Sequence, residues 1–410
     1  MSKVSTENYK GVRDFYPEDQ SVQNYIFFIW KETMESFGYE QYDASILEYS
    51  DLYKAKSGQE IVTEQTYNFV DRGERDVTLR PEMTPTIARM IARKKRDLVF
   101  PLRWYSIPNL FRYERPQKGR LREHWQLNGD IFSINNIFAE LEVIEIASTI
   151  LRNFGLNDIQ FEIRINDRKI LNKKFEELGL NEIQSSELSR LIDKKDKIDD
   201  FDEQVEKLLG KKIRLDFEPN EEITAIIDKL KRRGISNVVF SPTITRGMDY
   251  YTGFVFEVYD TNPENNRALM GGGRYDDLLN IFNEEKLPAV GFGMGDVMLR
   301  ETLETYGLIP KHYNQTDLAF CPLNEAFFDI VSEWATELRE AGLNVTIDYS
   351  GKKIKDQISK ADKRGIQFIS CIGDEEISSK KLIIKNLQTS KETKLPLSKV
   401  AQFVKNNRSV

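Results

Sequence analysis

After residue 315 the amino-acid sequence settles into a repeating order of strand-like and helical text. "DLAFCPL", "NVTIDY" and "FISCIG" are short and apolar, and between them lie "EAFFDIVSEWATELREAG" and "KKIKDQISKADKRG", which read as helices. Strands separated by helices in this way build a layered α/β domain with its own core. The residues before 315 follow no such order. They are aromatic-rich and strand-like over long stretches, broken from 168 to 232 by Lys-, Glu-, Asp- and Leu-rich text that reads as short helices. At 410 residues the chain is too long for one ordinary core. The expected organisation is a domain over 1–312 with a helical insertion at about 168–232, a polar linker "IPKHYNQ", and a separate domain over 316–410.

Periodicity and end signals place the elements of the larger domain. "DQSVQNYIFFIWKETMESF" (19–37) has apolar groups at helical spacing and stops at Gly38; "IFAELEVIEIASTILRNFG" (137–155) is amphipathic and closed by Gly155. "TPTIARMIARKKR" (84–96) predicts a helix with Pro85 in its first turn. Residues 60–79 predict two strands about the turn "DRGERD", and "RWYSIPNLFRYER" with "REHWQLNGDIFSI" predicts two more joined by the polar loop "RPQKGRL". In "TRGMDYYTGFVFEVY" (245–259), Phe254, Phe256 and Val258 alternate with Val255, Glu257 and Tyr259, the period of a sheet.

Composition removes several function classes. No apolar run approaches the roughly 18–20 residues that a spanning helix needs, and "MSKVSTENYKGVRDF" lacks the apolar stretch of a signal peptide, so a soluble cytoplasmic protein with no membrane partner is expected. Cys321, Cys371, His124 and His312 are too few for a disulfide framework or a structural zinc site, and no resident metal is expected. A net charge of -7 argues against a generally basic coat for nucleic acid. Residues from 315 onward are slightly basic, which leaves room for a nucleic-acid partner recognised through local patches.

Two segments carry arginines inside strand-like text. In "LFRYE", Arg112 and Glu114 are expected on one strand face with Phe111 and Tyr113 on the other. A planar guanidinium beside a carboxylate suits a ligand made of phosphate and base; a sheet surface laced with salt bridges is the alternative. Arg246 precedes the second strand with Tyr250 and Tyr251, which in a strand would point to opposite faces, one to the core and one to a ligand. A permanent cation there can hold charge that builds on a transferring phosphoryl centre. "GGGRYD" permits close backbone approach or a positive φ, whereas "GFGMGD" matches neither the dinucleotide fingerprint nor the phosphate loop, which disfavours a nicotinamide enzyme and a P-loop ATPase. Glu82 and Thr84 flank Met83 just before a helix, where the carboxylate could receive an ammonium or the pair could serve as a cap.

Taken in order, these segments resemble the histidyl-tRNA synthetase family of class II aminoacyl-tRNA synthetases. "KGVRDFYPED" is similar to its N-terminal signature, "FGYEQYDASILE" to its dimer-forming motif 1, "TLRPEMTPTIARM" to part of its amino-acid pocket, and "FRYERPQKGRLREHWQLNGDIF" to motif 2. "RGMDYYTGFVFE" resembles the family's histidine-specific peptide, and the tail from "DLAFCPL" to "IIKNL" its anticodon-binding domain. The resemblance implies an α+β catalytic domain with a mixed, mostly antiparallel sheet flanked by helices, a C-terminal α/β anticodon-binding domain, and a homodimer. It implies that ATP, accompanied by Mg2+, and L-histidine form histidyl-adenylate, and that the histidyl group then passes to histidine tRNA.

Position by position, it implies that Arg112 and Arg246 are catalytic at the α-phosphate and that Glu114, Arg120, Gly295 and Arg300 bind the rest of ATP. Glu82, Thr84 and Gln126 would surround the α-amino group, Asp130 and Tyr251 would bracket the imidazole with Tyr250 nearby, and Arg274 and Tyr275 would close the pocket. Gln117 and Arg120 would meet the acceptor end of the tRNA. Three departures stand out. Ser45 stands where motif 1 usually has a proline, and Asp130 where many relatives carry the longer Glu. Asp296 and Val297 stand where motif 3 ends in a Glu-Arg pair in many class II enzymes, and Arg300, about one helical turn on, is expected to substitute for that arginine. The alternative on the same fold is a catalytically inactive, synthetase-like regulatory subunit of histidine biosynthesis. Such relatives generally lack the C-terminal domain and erode the arginine motifs, and this chain retains both.

Overall fold

The computed structural model describes residues 4–54, 65–193, 195, 198–213, 215–244, 250–265 and 267–408. The chain folds as two compact units, Met1–Pro310 and Lys311–Val410. Strands in the first unit are β1 (Glu40–Gln41), β2 (Leu47–Tyr49), β3 (Tyr67–Val70), β4 (Asp76–Leu79), β5 (Leu102–Ser106), β6 (Asn109–Phe111), β7 (Glu123–Phe132), β8 (Phe161–Asp167), β9 (Val238–Phe240), β10 (Phe254–Asp260), β11 (Ala268–Arg274) and β12 (Ala289–Gly295). Among the described residues the main sheet runs β1-β5-β7-β12-β11-β10-β8-β9, with β6 pairing β7 beside this path. Its inner pairs are antiparallel, and only the outermost, β1 with β5 and β8 with β9, are parallel. A small separate sheet has the order β2-β4-β3.

Helical periodicity explains what covers the main sheet. The helix Pro17–Ser36 repeats Ile26, Trp30 and Met34 every four residues, and all three are buried. The helix Phe138–Asn153 adds Leu141, Ile144, Ile150 and Leu151 to the same core. Gly38 at φ +78° and Gly155 at φ +97° follow these helices in the left-handed conformation that ends them. Each buried Leu or Ile contributes about 1.5–3 kcal/mol relative to exposure, so this apolar stripe dominates the packing.

The lysine-rich stretch divides into two kinds of packing. Helices Arg168–Leu178, Glu182–Asp193 and Phe201–Leu209 surround a small cluster of their own, built on Leu171, Phe175, Leu188, Ile192, Phe201 and Val205. The next helix, Glu221–Arg232, instead sends Ile223, Ile226 and Leu230 into the main core. Composition alone predicts one insertion over about 168–232. Packing joins its last helix to the sheet, because that helix presents its apolar stripe to the Phe138–Asn153 helix and the neighbouring strands.

The second unit has β13 (Leu318–Pro322), β14 (Val345–Ile347), β15 (Phe368–Ile372), β16 (Lys381–Asn386) and β17 (Glu392–Pro396) in the order β14-β13-β15-β16-β17. The first three strands are parallel, as the strand–helix alternation requires, and the last two run antiparallel. Leu318, Phe320, Trp334, Leu338, Phe368 and Val400 lie at the centre of its separate core.

Candidate active site

β7 and β12 make the floor of a cavity on one face of the main sheet. Gln126, Asn128 and Asp130 alternate along β7 and all line it. Directly across in antiparallel register lie Gly295, Gly293 and Gly291. The pairing is steric in origin. A Cβ on Gly291 would overlap the Asp130 carboxylate, and one on Gly293 would overlap the Gln126 amide. The glycine-rich stretch therefore answers to close approach, and none of these residues has a positive φ.

At one end, the Asp130 carboxyl is 4% exposed and accepts a hydrogen bond from the Tyr275 hydroxyl. Burial raises its pKa to about 7, against a smaller opposing effect of the tyrosine. Beside it, the Tyr250 hydroxyl donates to Glu82 Oε2 at 3.3 Å and to Thr84 Oγ1 at 3.5 Å. A carboxylate with two hydroxyls around it offers acceptors to an ammonium. Asn128 Nδ2 donates to the main-chain carbonyl of Gln126 at 3.1 Å and Asn128 Oδ1 accepts from Gln126 Nε2 at 2.6 Å, so the backbone fixes the Asn128 amide, which in turn holds that of Gln126.

At the other end stands Arg112. Its Nε donates to the Pro81 carbonyl at 2.9 Å, which fixes the guanidinium plane, and no described carboxylate lies within ion-pair distance of it. His124 nearby is held neutral: burial first, then the charges of Arg112 and Arg13, push its pKa down to about 3. The cavity thus joins a buried carboxyl, an ammonium-accepting group and a fixed cation.

Other expected site residues lie elsewhere. Arg274 does not line the cavity; its guanidinium pairs with Glu140 at 2.6 Å and Asp276 at 3.2 Å, on the side away from Tyr275. Alternation explains this, because neighbours along an extended chain face opposite ways. Tyr250 and Tyr251 break the same rule and both line the cavity, with ring centres 4.9 Å apart. They precede β10, which begins at Phe254, so strand alternation does not govern them. β6 likewise ends at Phe111, and Arg112 and Glu114 follow it in a turn where the Glu114 N–H donates to the Arg112 carbonyl at 2.7 Å. Glu114 pairs with Arg120 at 3.2 Å outside the cavity lining. Gln117 and Arg300 border a second cavity with Arg13, Lys118 and Val297. Arg300 is bound by Asp19 at 2.8 Å and Glu304 at 2.9 Å. Arg246 lies outside the described residues.

Asp296, at the motif 3 departure, is buried beneath these cavities. It accepts from Arg13 at 2.7 Å, from Gln23 at 3.2 Å and from the Trp125 N–H at 3.0 Å, so it ties the N-terminal segment to the start of the helix Asp296–Thr305.

The family model described as "Histidyl-tRNA synthetase" matches residues 11–214 and 201–296, and the one described as "Anticodon binding domain" matches 317–407. A curated relative from Leptospira biflexa, "Histidine--tRNA ligase", is 40% identical, with 99% of each chain covered. A relative of the same name from Thermoplasma volcanium is 34% identical over 99% of this chain and 100% of its own. The chain belongs to the histidyl-tRNA synthetase family. The crystal structure of histidyl-tRNA synthetase from S. aureus superposes with a TM-score of 0.77 at 25% identity, covering 99% of this chain and 100% of that one. The fold is thus the class II synthetase α+β sheet followed by an anticodon-binding domain.

For a histidyl-tRNA synthetase, the sequence reading missed Asn128, Met270, Phe292 and the glycines at 291 and 293 as cavity-lining residues. The signal for Asn128 was available: it shares the face of Gln126 and Asp130 at a spacing of two.

Proposed function

We propose that this chain ligates L-histidine to histidine tRNA in two steps at this cavity. ATP enters as its magnesium complex, the ion being held mainly by the nucleotide's own phosphates. A histidine carboxylate oxygen attacks the α-phosphorus, the bond to the bridging oxygen breaks, and pyrophosphate leaves with the electron pair. A hydroxyl of the tRNA's terminal adenosine then attacks the acyl carbon and AMP departs, the hydroxyl proton passing to the leaving phosphate or to water. The attacking carboxylate is already ionised, so no catalytic base is needed and positioning with charge stabilisation supplies the rate.

One observation carries this reading: the buried Asp130 carboxyl and the fixed Arg112 guanidinium face the same glycine-floored cavity. Asp130 and the Tyr251 hydroxyl would each engage one of the two in-plane ring nitrogens, which only an imidazole offers in opposed positions. Glu82, Thr84, Gln126 and Tyr250 would take the ammonium, while Arg112 and Arg246 would hold the α-phosphate. Glu114 would contact the adenine, and Gln117 with Arg120 the acceptor end. The C-terminal unit would bind the anticodon. A homodimer through the motif 1 segment is supported by the exposure of Ile46, Leu47 and Tyr49 there. A cytoplasmic location fits the reading, and among the described residues no helix is long and apolar enough to cross a membrane.

Histidine-dependent exchange of labelled pyrophosphate into ATP tests the proposal. Arg112→Ala is expected to lower that exchange by at least about a hundredfold, and Arg246→Ala to abolish it, while histidine binding stays within a few fold. A wild-type protein that binds histidine but exchanges nothing would instead be a regulatory subunit.

A further inference from the structure

The helix that begins at Asp296 supplies no arginine to the cavity at the motif 3 position, and Arg300 is committed to Asp19 and Glu304. A nucleotide seated with its α-phosphate at Arg112 still has two outer phosphates to neutralise. Five cations line the second cavity or stand beside the residues that do: Arg13, Lys118, Arg120, Arg267 and Arg300. Four of them are within ion-pair distance of a carboxylate, on Asp296, Glu301, Glu114 and Asp19 respectively. Arg267 alone of the five has no hydrogen bond or ion pair among the described residues.

Its placement is set by the sheet. β11 and β12 pair with Met270 across from Met294, and following the chain back from Met270 brings Arg267 beside the end of β12, where Asp296 and Val297 begin their helix. An independent contact agrees: a Cβ on Gly119 of the motif 2 loop would meet Arg267 Cδ at 2.9 Å and would also overlap Met298 Sδ. The next residue, Ala268, lines the active-site cavity, and Gly119 borders the second one. Arg267 is half-buried, crowded by the like charge of Arg120, and faces Glu114 and Glu301 only from beyond ion-pair distance. A partly desolvated guanidinium left in this state gains most from an anion that brings its own acceptors.

We propose that Arg267 holds the outer phosphates of ATP and the departing pyrophosphate, taking over across the β11–β12 pair the role that Val297 cannot perform. The proposal rests on the adenylate-forming reading of the cavity. It is tested with Arg267→Gln in the full chain, measuring KM for pyrophosphate and for ATP in histidine-dependent exchange. Binding of a non-hydrolysable histidyl-adenylate analogue, which has no outer phosphates, is measured alongside. Both KM values are expected to rise at least about tenfold, the loss of one charge-assisted contact, with analogue binding changed less than about twofold. Unchanged KM values overturn the assignment. An equal loss of analogue binding also overturns it, since the residue would then only support the fold. Wild-type protein without any exchange would strike at the proposed function itself and is thereby distinguishable.

Discussion

Asp130 shows what a substrate-measuring carboxyl costs the free protein. Its pKa is raised by burial to about 7, from an ordinary value of 3.8. Between those values the folded chain holds a proton that the unfolded chain has released. Stability contributed by this group is therefore full below the lower value and is lost as pH rises through the upper one. Asp130→Asn cannot ionise, so its melting temperature should exceed that of the parent by a few degrees at pH 8. The gap should close towards pH 4, and a scan of melting temperature against pH measures it. The same substitution should weaken histidine binding and remove the inflection near pH 7 from the affinity profile. The free amino acid's own imidazole, ionising near 6.5, titrates in both proteins, so their difference isolates Asp130. An identical pH profile in the variant would show that this carboxyl does not touch the ring.

Among the elements, β12 governs the site more than its lack of side chains suggests. Gly291→Ala should place a methyl group against the Asp130 carboxylate. Overpacking of this kind costs about 1–3 kcal/mol, so the variant should melt several degrees lower and bind histidine at least about tenfold more weakly; calorimetry and titration measure both. Helix ends, strand periods and the two textures of the chain were legible, because Gly38, Gly155 and the alternation in β10 are local signals with local causes. The pocket residues Glu82, Thr84, Gln126, Asp130 and Tyr275 were also legible, through resemblance, and the structure gathers them in one cavity. Side-chain partners were not. That Arg274 belongs to Glu140 depends on which helix β11 packs against, and that Arg300 belongs to Asp19 on which two helices meet, with partners 134 and 281 residues apart in sequence. Nor does alternation say where a strand starts, which is why it points the two adjacent tyrosines to opposite faces although both line the cavity.

At the scale of the molecule, the two units have separate apolar cores. Residues 311–410 expressed alone should therefore unfold in a single cooperative transition by denaturant titration. Residues 1–310 should retain pyrophosphate exchange within a few fold while charging tRNA far more slowly. A fragment 1–310 that charged tRNA at the full rate would remove any need for the second unit in that step. The lobe formed by the described residues from 168 to 209 stands apart in its packing. Its buried apolar groups cluster among themselves, apart from Ile170, which packs against the main core, and the chain re-enters the main body through the Glu221–Arg232 helix. That appendage can consequently be lengthened or trimmed as a module without disturbing the floor of glycines, whose close approach to the facing polar row leaves no room for a side chain.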